Sequence, residues 1–350
     1  MTLTVLQVAF PFAPVGPDAV GGAEQVLSLV ERRLPGFGIR AVTVACAGSV
    51  TAGPLLATPL PPGPITPAVE ASVRAAQAEA IRAALRQHRI SLVHMHGIDF
   101  HHYLPPAGVP VLVTLHLPPG WYPPEVFRPA RPDTWLHAVS ASQHRACPAS
   151  PALLPPVENG VAVEDLSLPL SRRRFALVLG RICPEKNQHA AIEAGTRSGI
   201  PVLLGGQVFP YEAHERYWRE SVLPLLHPPH RFLGPLGFAR KRRLLNAARC
   251  LVSASLAPET SSLVAMEAMA CGTPVVALAS GALADLVEDG VTGFLVRDVA
   301  EMAAAMRDAP RLSSARIRDV ARRRFSADAM VARYASLYRQ LAGRGRSHAA

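Results

Sequence analysis

Short apolar runs, each followed by a stretch of helical periodicity, recur along this chain in two rounds, and that rhythm leaves few folds open. In the first round Leu3–Phe10, Ala41–Ala47, Leu92–Met95, Val109–Leu115 and Thr134–Val139 read as strands. Gly21–Leu34 and Ala68–Gln87 read as helices, and Pro54–Pro67 as a proline-rich loop. The second round places strands at Ala176–Gly180, Val202–Gly205, Cys250–Ser253 and Pro274–Ala279, with helices at Asn187–Ser198, Leu244–Ala248 and Leu263–Ala270. Strands interleaved with helices in this way predict parallel sheets covered on both faces. The expectation is an α/β chain of two domains, 1–163 and 164–326, which change over between Pro156 and Arg174, where a proline-rich stretch meets the basic run Arg172-Arg173-Arg174. A last segment, 327–350, carries an amphipathic helix over Ala327–Leu341, with Met330, Tyr334, Leu337 and Leu341 on one side. Two similar domains suggest a cleft, and in open parallel sheets ligands sit beyond the carboxyl ends of the strands.

Composition narrows the function classes. Of 350 residues, 49% are hydrophobic and only 18% charged, which suits packed domains rather than a disordered chain. A net charge of +10 attracts phosphates, nucleic acids and anionic membranes alike. Aromatic residues make up 6%, and no zinc-finger spacing or RNA-stacking signature occurs, so nucleic acid is not an expected partner. The five cysteines, Cys46, Cys147, Cys183, Cys250 and Cys271, are scattered without a C-x-x-C spacing and read as buried thiols in a reducing compartment. The amino terminus has no basic n-region, and no run of about 18 apolar residues could span a bilayer. The expected location is therefore cytoplasmic. The basic runs Arg240-Lys241-Arg242-Arg243 and Arg322-Arg323-Arg324 read as solvated helix faces, with peripheral contact to the inner face of a membrane as the alternative.

Four clusters could carry chemistry. Gly180-Arg181-Ile182-Cys183-Pro184-Glu185-Lys186-Asn187 joins a strand to a helix, and a diphosphate could be clamped between the Arg181 fork and the Lys186 charge. An ordinary turn bearing two solvated cations is the plainer reading. In Pro258–Pro274, a loop with Glu259 and serines runs into a helix whose amino end is a ready phosphate site. Glu267, a little over one turn inside, suits ribose hydroxyls, and Glu259 suits hydroxyls of an attached sugar; the plainer reading is a serine-capped helix with incidental glutamates. Gly21-Gly22 opens the first helix and allows close approach of a ligand, yet it lacks the full G-x-G-x-x-G pattern. His94 and His96 flank Met95 at a strand end, and His116 ends the strand Val111–Leu115. With Asp99 as the one carboxylate nearby, a metal is not expected. His116 is the better candidate for a polar contact to substrate.

Together these segments resemble glycosyltransferase family 4, of the GT-B fold. The match runs from Glu259 through Glu267-Ala268-Met269-Ala270-Cys271-Gly272-Thr273-Pro274, and includes Gly180–Asn187, Gly21-Gly22, His94-Met95-His96-Gly97, Val113-Thr114-Leu115-His116, Ala138-Val139-Ser140, Asn159-Gly160-Val161 and Glu288–Val296. The resemblance implies two Rossmann-like domains whose parallel sheets face an interdomain cleft, with the last helix crossing back to the amino-terminal domain. It implies that Arg181 and Lys186 hold the donor diphosphate, helped by the backbone amides of Ser262, Leu263 and Val264. Glu259 would hold donor-sugar hydroxyls, Glu267 the ribose, His116 the sugar near the reacting centre and Gly22 the phosphate. Phe232-Leu233-Gly234 falls where the family packs the nucleobase. Many members read Glu-Gly-Phe-Gly where this chain has Glu259-Thr260-Ser261-Ser262, so donor identity cannot be carried over.

The implied reaction moves a sugar from a nucleotide-diphosphate donor to an acceptor hydroxyl with retention. The donor is a co-substrate, and no cofactor or metal is needed, because fixed cations and helix-end amides can stabilise the departing diphosphate. The acceptor, whether glycan, lipid or small molecule, is not written in the sequence. A nucleotide-sugar epimerase and a non-catalytic sugar-nucleotide-binding partner of a biosynthetic complex are the alternatives.

Overall fold

The computed structural model describes residues 2–347, the side chains of 344–347 excepted; the last three residues of the expected tail lie outside the described residues. The chain forms two compact units. One joins the chain up to Asn159 with the segment from Ala327 onward, and the other is Gly160–Ser326.

The first unit is built on seven parallel strands: β1 (Leu3–Val8), β2 (Ile39–Cys46), β3 (Leu55–Thr58), β4 (Leu92–Met95), β5 (Val111–Leu115), β6 (Thr134–Ala138) and β7 (Leu153–Leu154), in the order β3-β2-β1-β4-β5-β6-β7. Every residue of β4 and β5 is buried, as a sheet covered on both faces requires. The expected proline-rich loop Pro54–Pro67 contains β3, and this is a correction. Prolines are tolerated at the ends of an edge strand, where they interrupt no ladder bond that matters, and β3 pairs only with β2. Helices α1 (Gly22–Arg33), α2 (Pro67–Gln87) and α3 (Ala141–Ala146) connect the strands. α2 starts where the Thr66 hydroxyl accepts the Val69 amide at 3.3 Å and Pro67 occupies the first turn. The helix Ala327–Ser347 belongs to this same unit, and it buries Met330, Val331, Tyr334, Tyr338 and Leu341. Leu337 is only half-buried, so Tyr338 takes the place expected for it. The stripe runs at four-residue steps from Met330 to Tyr338, as a helix of 3.6 residues per turn favours.

The second unit opens on α4 (Val163–Leu166) and continues through β8 (Ala176–Leu179), α5 (Gln188–Ser198), β9 (Val202–Gly205), α6 (Glu212–Tyr217), β10 (Arg231–Gly234), α7 (Phe238–Ala247), β11 (Cys250–Ser253), α8 (Leu263–Ala270), β12 (Val275–Leu278), α9 (Ala282–Leu286), β13 (Gly293–Val296), α10 (Val299–Asp308) and α11 (Ser314–Arg324). Its six parallel strands run β10-β9-β8-β11-β12-β13. Alternate residues of each strand face opposite ways, so the sheet feeds two cores. Leu177, Leu251 and Val275 pack with Met266, Met269 and Ile317, while Val178, Val252 and Val276 pack with Ile192, Met302 and Met306. α7 runs six residues further toward the amino end than the expected Leu244–Ala248, because four consecutive cationic residues there hide its apolar face. Its carboxyl end is closed by Arg172, whose guanidinium donates to the carbonyls of Leu245 (3.2 Å), Asn246 (2.8 Å) and Ala248 (3.1 Å). Both ends of the unit are tied together: the Val161 amide donates to the Phe325 carbonyl at 2.8 Å. Among the described residues no helix is long and apolar enough to cross a membrane.

Candidate functional site

The carboxyl ends of β8 and β9 meet through glycines. Gly206 has φ +158°, and a Cβ on it would lie 1.8 Å from the Gly180 carbonyl oxygen, so no larger residue fits. Beyond β8, Arg181 is exposed, and its carbonyl accepts the Gln188 amide side chain at 2.7 Å. The turn Pro184–Lys186 then leads into α5 through Asn187, at φ +52°. Lys186 Nζ donates to Glu259 Oε1 in a tight, part-buried ion pair, so two predicted site residues 73 positions apart are brought together. The two loops are also stitched by backbone: the Leu256 amide donates to the Glu185 carbonyl at 2.8 Å.

Glu259 is held by a backbone clasp. Its carbonyl accepts the Ala282 amide at 2.7 Å, and Gly281 lies against it. Gly281 has φ +54°, and a Cβ there would sit 2.4 Å from the Glu259 carbonyl oxygen. Ser262 caps α8, its hydroxyl accepting the Ala265 amide at 3.4 Å, and Leu263 and Val264 form the half-buried first turn. The amides of that turn are unsatisfied by the helix itself and carry its positive end.

Glu267 is 6% exposed, and a carboxylate so buried needs a partner. Lys241 supplies it, donating from Nζ to Glu267 Oε1 at 2.6 Å. Lys241 belongs to the basic run expected to be a solvated helix face, and its contact with Glu267 corrects that expectation. No local signal could have found this contact, since the partner lies 26 positions away. Arg242 also turns inward, donating to the Ser167 carbonyl at 3.2 Å, whereas Arg240 and Arg243 are exposed. Arg322, Arg323 and Arg324 pair with Glu164, Asp319 and Glu288. Neither basic run is thus a uniform cationic face. Two buried polar atoms, Ser261 Oγ just before α8 and Glu267 Oε2 on it, have no hydrogen-bond partner among the described residues.

A pocket of about 540 Å³ opens beyond β9 and β10, lined by Gly206, Gln207, Val208, Trp218, Phe232 and Pro235 among others. Trp218 and Phe232 pack with ring centroids 4.6 Å apart. Leu233, half-buried, follows Phe232 on β10, where the pairing with β9 shifts register between Phe232 and Gly234. Nothing near Trp218 in the sequence marks a loop or a strand end, so its place in the pocket is not legible there.

In the first unit Gly22 is the exposed first residue of α1. Its neighbour Gly21 is approached by the chain itself: a Cβ on Gly21 would lie 1.9 Å from Glu24 Oε2. His116 follows β5, and its Nε2 lies 3.0 Å from His96 Nδ1. Burial and the nearby His137 push His116 down to about 3. Both ring nitrogens of His94 and both of His96 are engaged in side-chain hydrogen bonds, which leaves them no lone pair for a metal. A different trio, Cys183, Glu185 and His214, brings its ligand atoms within 4.8 Å of one another. All five cysteines are free thiols.

Residues 174–309 match the family described as Glycosyl transferases group 1. A D-inositol 3-phosphate glycosyltransferase of Mycobacterium tuberculosis is 35% identical over 144 residues, which is 40% of this chain and 30% of that protein. Its counterpart from Geodermatophilus obscurus is 61% identical over 51 residues, 14% of this chain and 11% of that one. The matched stretch thus spans less than a third of these relatives. Over 97% of the chain the structure resembles AviGT4, a glycosyltransferase involved in avilamycin A biosynthesis (TM-score 0.72, 23% identity, 98% of that chain). It equally resembles Anabaena HepE, solved with UDP-glucose (TM-score 0.74, 20% identity, 100% of that chain). At such identities the likeness speaks to architecture, and that architecture is GT-B, as expected.

Proposed function

We propose that this chain is a sugar-nucleotide-dependent glycosyltransferase that retains anomeric configuration and needs no metal. The observation that carries the reading is the set of polar groups on α8 and the loop before it: Lys186 with Glu259, Lys241 with Glu267, and the two buried oxygens that lack partners among the described residues. Such oxygens favour a ligand rich in hydroxyls, because an unpaired buried polar atom costs about 1–3 kcal/mol until something bonds to it. The group 1 match over residues 174–309 covers this region.

In this reading Arg181, Lys186 and the amides of Ser262, Leu263 and Val264 surround the diphosphate. They are fixed before the reaction, so they stabilise the charge that builds on the leaving nucleotide without reorganising. Lys186 carries three N–H donors and can keep Glu259 while turning another to phosphate. Glu267 Oε2 receives a ribose hydroxyl, and Glu259 the sugar hydroxyls. The pocket by Trp218 and Phe232 takes the base, since the face of either ring can stack a nucleobase, and Leu233 follows Phe232 on the same strand. The UDP-glucose bound by HepE supports a nucleotide-sugar donor of this kind. Thr260-Ser261-Ser262 places hydroxyls beside the sugar and makes donor choice particular to this chain.

The test is a panel of UDP-, GDP-, ADP- and TDP-sugars with an acceptor library, run with and without EDTA. Transfer that persists in EDTA and yields product of unchanged anomeric configuration is expected. No binding and no turnover across the panel would overturn the assignment. Interconversion of donor sugars without an acceptor would point to an epimerase instead.

A further inference from the structure

Within the second unit, the turn that leaves β8 and the short helix α6 hold three side chains that the proposed reaction does not use. Cys183 is fully buried and extended, at φ −160° and ψ 159°, and the turn Pro184–Lys186 starts directly after it. Three backbone bonds hold this stretch. The Ile182 amide donates to the Gln207 carbonyl at 2.9 Å, the Lys186 amide to the Cys183 carbonyl at 3.1 Å, and the Leu256 amide to the Glu185 carbonyl at 2.8 Å. Cys183 and Glu185 are therefore placed by the backbone before any ligand arrives. His214 comes from α6, where its ring stands edge-on to Tyr211 with centroids 5.1 Å apart. Cys183 Sγ, a Glu185 carboxylate oxygen and a His214 ring nitrogen all lie within 4.8 Å of one another.

The surroundings leave these groups with coordinating capacity. His214 Nδ1 is buried and has no hydrogen-bond partner among the described residues. Cys183 Sγ donates to the Arg181 carbonyl at 3.7 Å, and a thiol is a weak donor. Glu185 is exposed, so an ion can reach the trio from solvent. Sulfur, imidazole nitrogen and carboxylate oxygen are the donor types of zinc, which often takes three protein ligands and a water. At zinc–ligand bonds of about 2.0–2.3 Å, the ligand atoms of a tetrahedral site stand roughly 3–4 Å apart. Side-chain rotation of the exposed Glu185 and the half-buried His214 covers that difference. Calcium and magnesium need oxygen-rich shells, and one carboxylate beside sulfur and nitrogen does not offer one.

We propose that Cys183, Glu185 and His214 form a zinc site, with water in the fourth position, that braces α6 against the turn between Arg181 and Lys186. On binding, a zinc–sulfur bond replaces the S–H bond of Cys183 and the proton leaves to solvent; the ion stays divalent and no electron moves. The zinc is a brace and not a reactant, so transfer by the metal-free chain is compatible with it. None of the three ligands is given a donor contact in the reading above, so the site stands or falls independently of that reading.

The experiment titrates the full-length, tag-free protein, first stripped with chelator, with Co²⁺ and then with Zn²⁺. One cobalt per chain is expected, with a thiolate-to-cobalt charge-transfer band and the strong visible bands of four-coordinate cobalt, all removed by one equivalent of zinc. Cys183→Ser is expected to lose the charge-transfer band. In competition with a chromophoric chelator, His214→Gln and Glu185→Gln are each expected to weaken zinc by more than about 100-fold, beyond the 10–100-fold typical of an outer-shell partner. Zinc is expected to raise the melting temperature of the wild type, as any ligand of the folded state does, and magnesium is expected not to. The absence of a charge-transfer band overturns the proposal. So does a band that survives Cys183→Ser, which would place the ion on another cysteine. Should Cys183→Ser fail to fold, His214→Gln carries the test, and an unchanged zinc affinity in it overturns the site.

Discussion

Lys186 and Lys241 are both lysines bonded to a glutamate, and their surroundings set them apart. The Lys186–Glu259 pair is partly open to solvent, with side-chain exposures of 31% and 12%. Pairs of this kind contribute about 0–1 kcal/mol. Lys186→Ala and Glu259→Ala are therefore expected to shift the melting temperature little while lowering kcat/KM by about 100-fold or more, the loss typical of a removed charge-stabilising donor; calorimetry beside steady-state kinetics checks both halves. Lys241–Glu267 is more enclosed, at 16% and 8%. Breaking an enclosed pair strands a charge, so Lys241→Ala is expected to lower stability by about 3 kcal/mol in a denaturant titration and to weaken nucleotide binding, whereas Lys241→Met with Glu267→Leu recovers stability without recovering binding. These residues also mark how far the sequence could be read. Glu259, Glu267, Arg181 and Lys186 stand out because each sits in a loop-to-helix motif. Lys241 does not, because four cations in a row look the same whether they face water or a buried carboxylate.

Elements with strong internal patterning were legible. β4, β9, β11 and α8 fall at the bounds their apolar runs predict. The missed strands are those with little apolar patterning: β3 lies between prolines, β7 has two residues, and β10 and β13 carry glycine at an end. α10 and α11 were also passed over. Their starts are marked in hindsight by Asp298 and Ser313, which accept the Glu301 and Arg316 amides at 2.8 and 3.3 Å. Gly281 belongs to this scale too, because its role is to let one loop lie on another. Gly281→Ala is expected to cost about 2 kcal/mol or more, from the left-handed backbone and the clash with Glu259. Binding of sugar nucleotide, followed by calorimetry, should weaken in that variant even where the fold survives, since the clasp on Glu259 would have moved.

For the whole molecule, the two-round rhythm sufficed to read two α/β units, while the polar interior of the first was hidden because it forms only when five distant segments converge. That interior predicts an acid response. His94, His96 and His137 are fully buried, and burial holds each below its ordinary value. Below about pH 6.5 the unfolded chain binds protons that the folded one refuses, so stability falls as pH drops, by about 1.4 kcal/mol per pH unit for each histidine. Glu24 and Glu31, raised by burial, act in the opposite sense over part of that range. Hydrogen exchange from pH 7 to 5 is expected to show the first unit loosening before the second; equal loosening would count against it. The split of the first unit along the chain has a further consequence during synthesis. Tyr334 and Tyr338 close its interior, yet they are translated only after all of Gly160–Ser326. The nascent amino-terminal sheet must therefore wait on the ribosome with Gln7, His94 and Thr114 wet. A ribosome stalled before Tyr334 should hold that unit in a protease-sensitive state that the last helix abolishes.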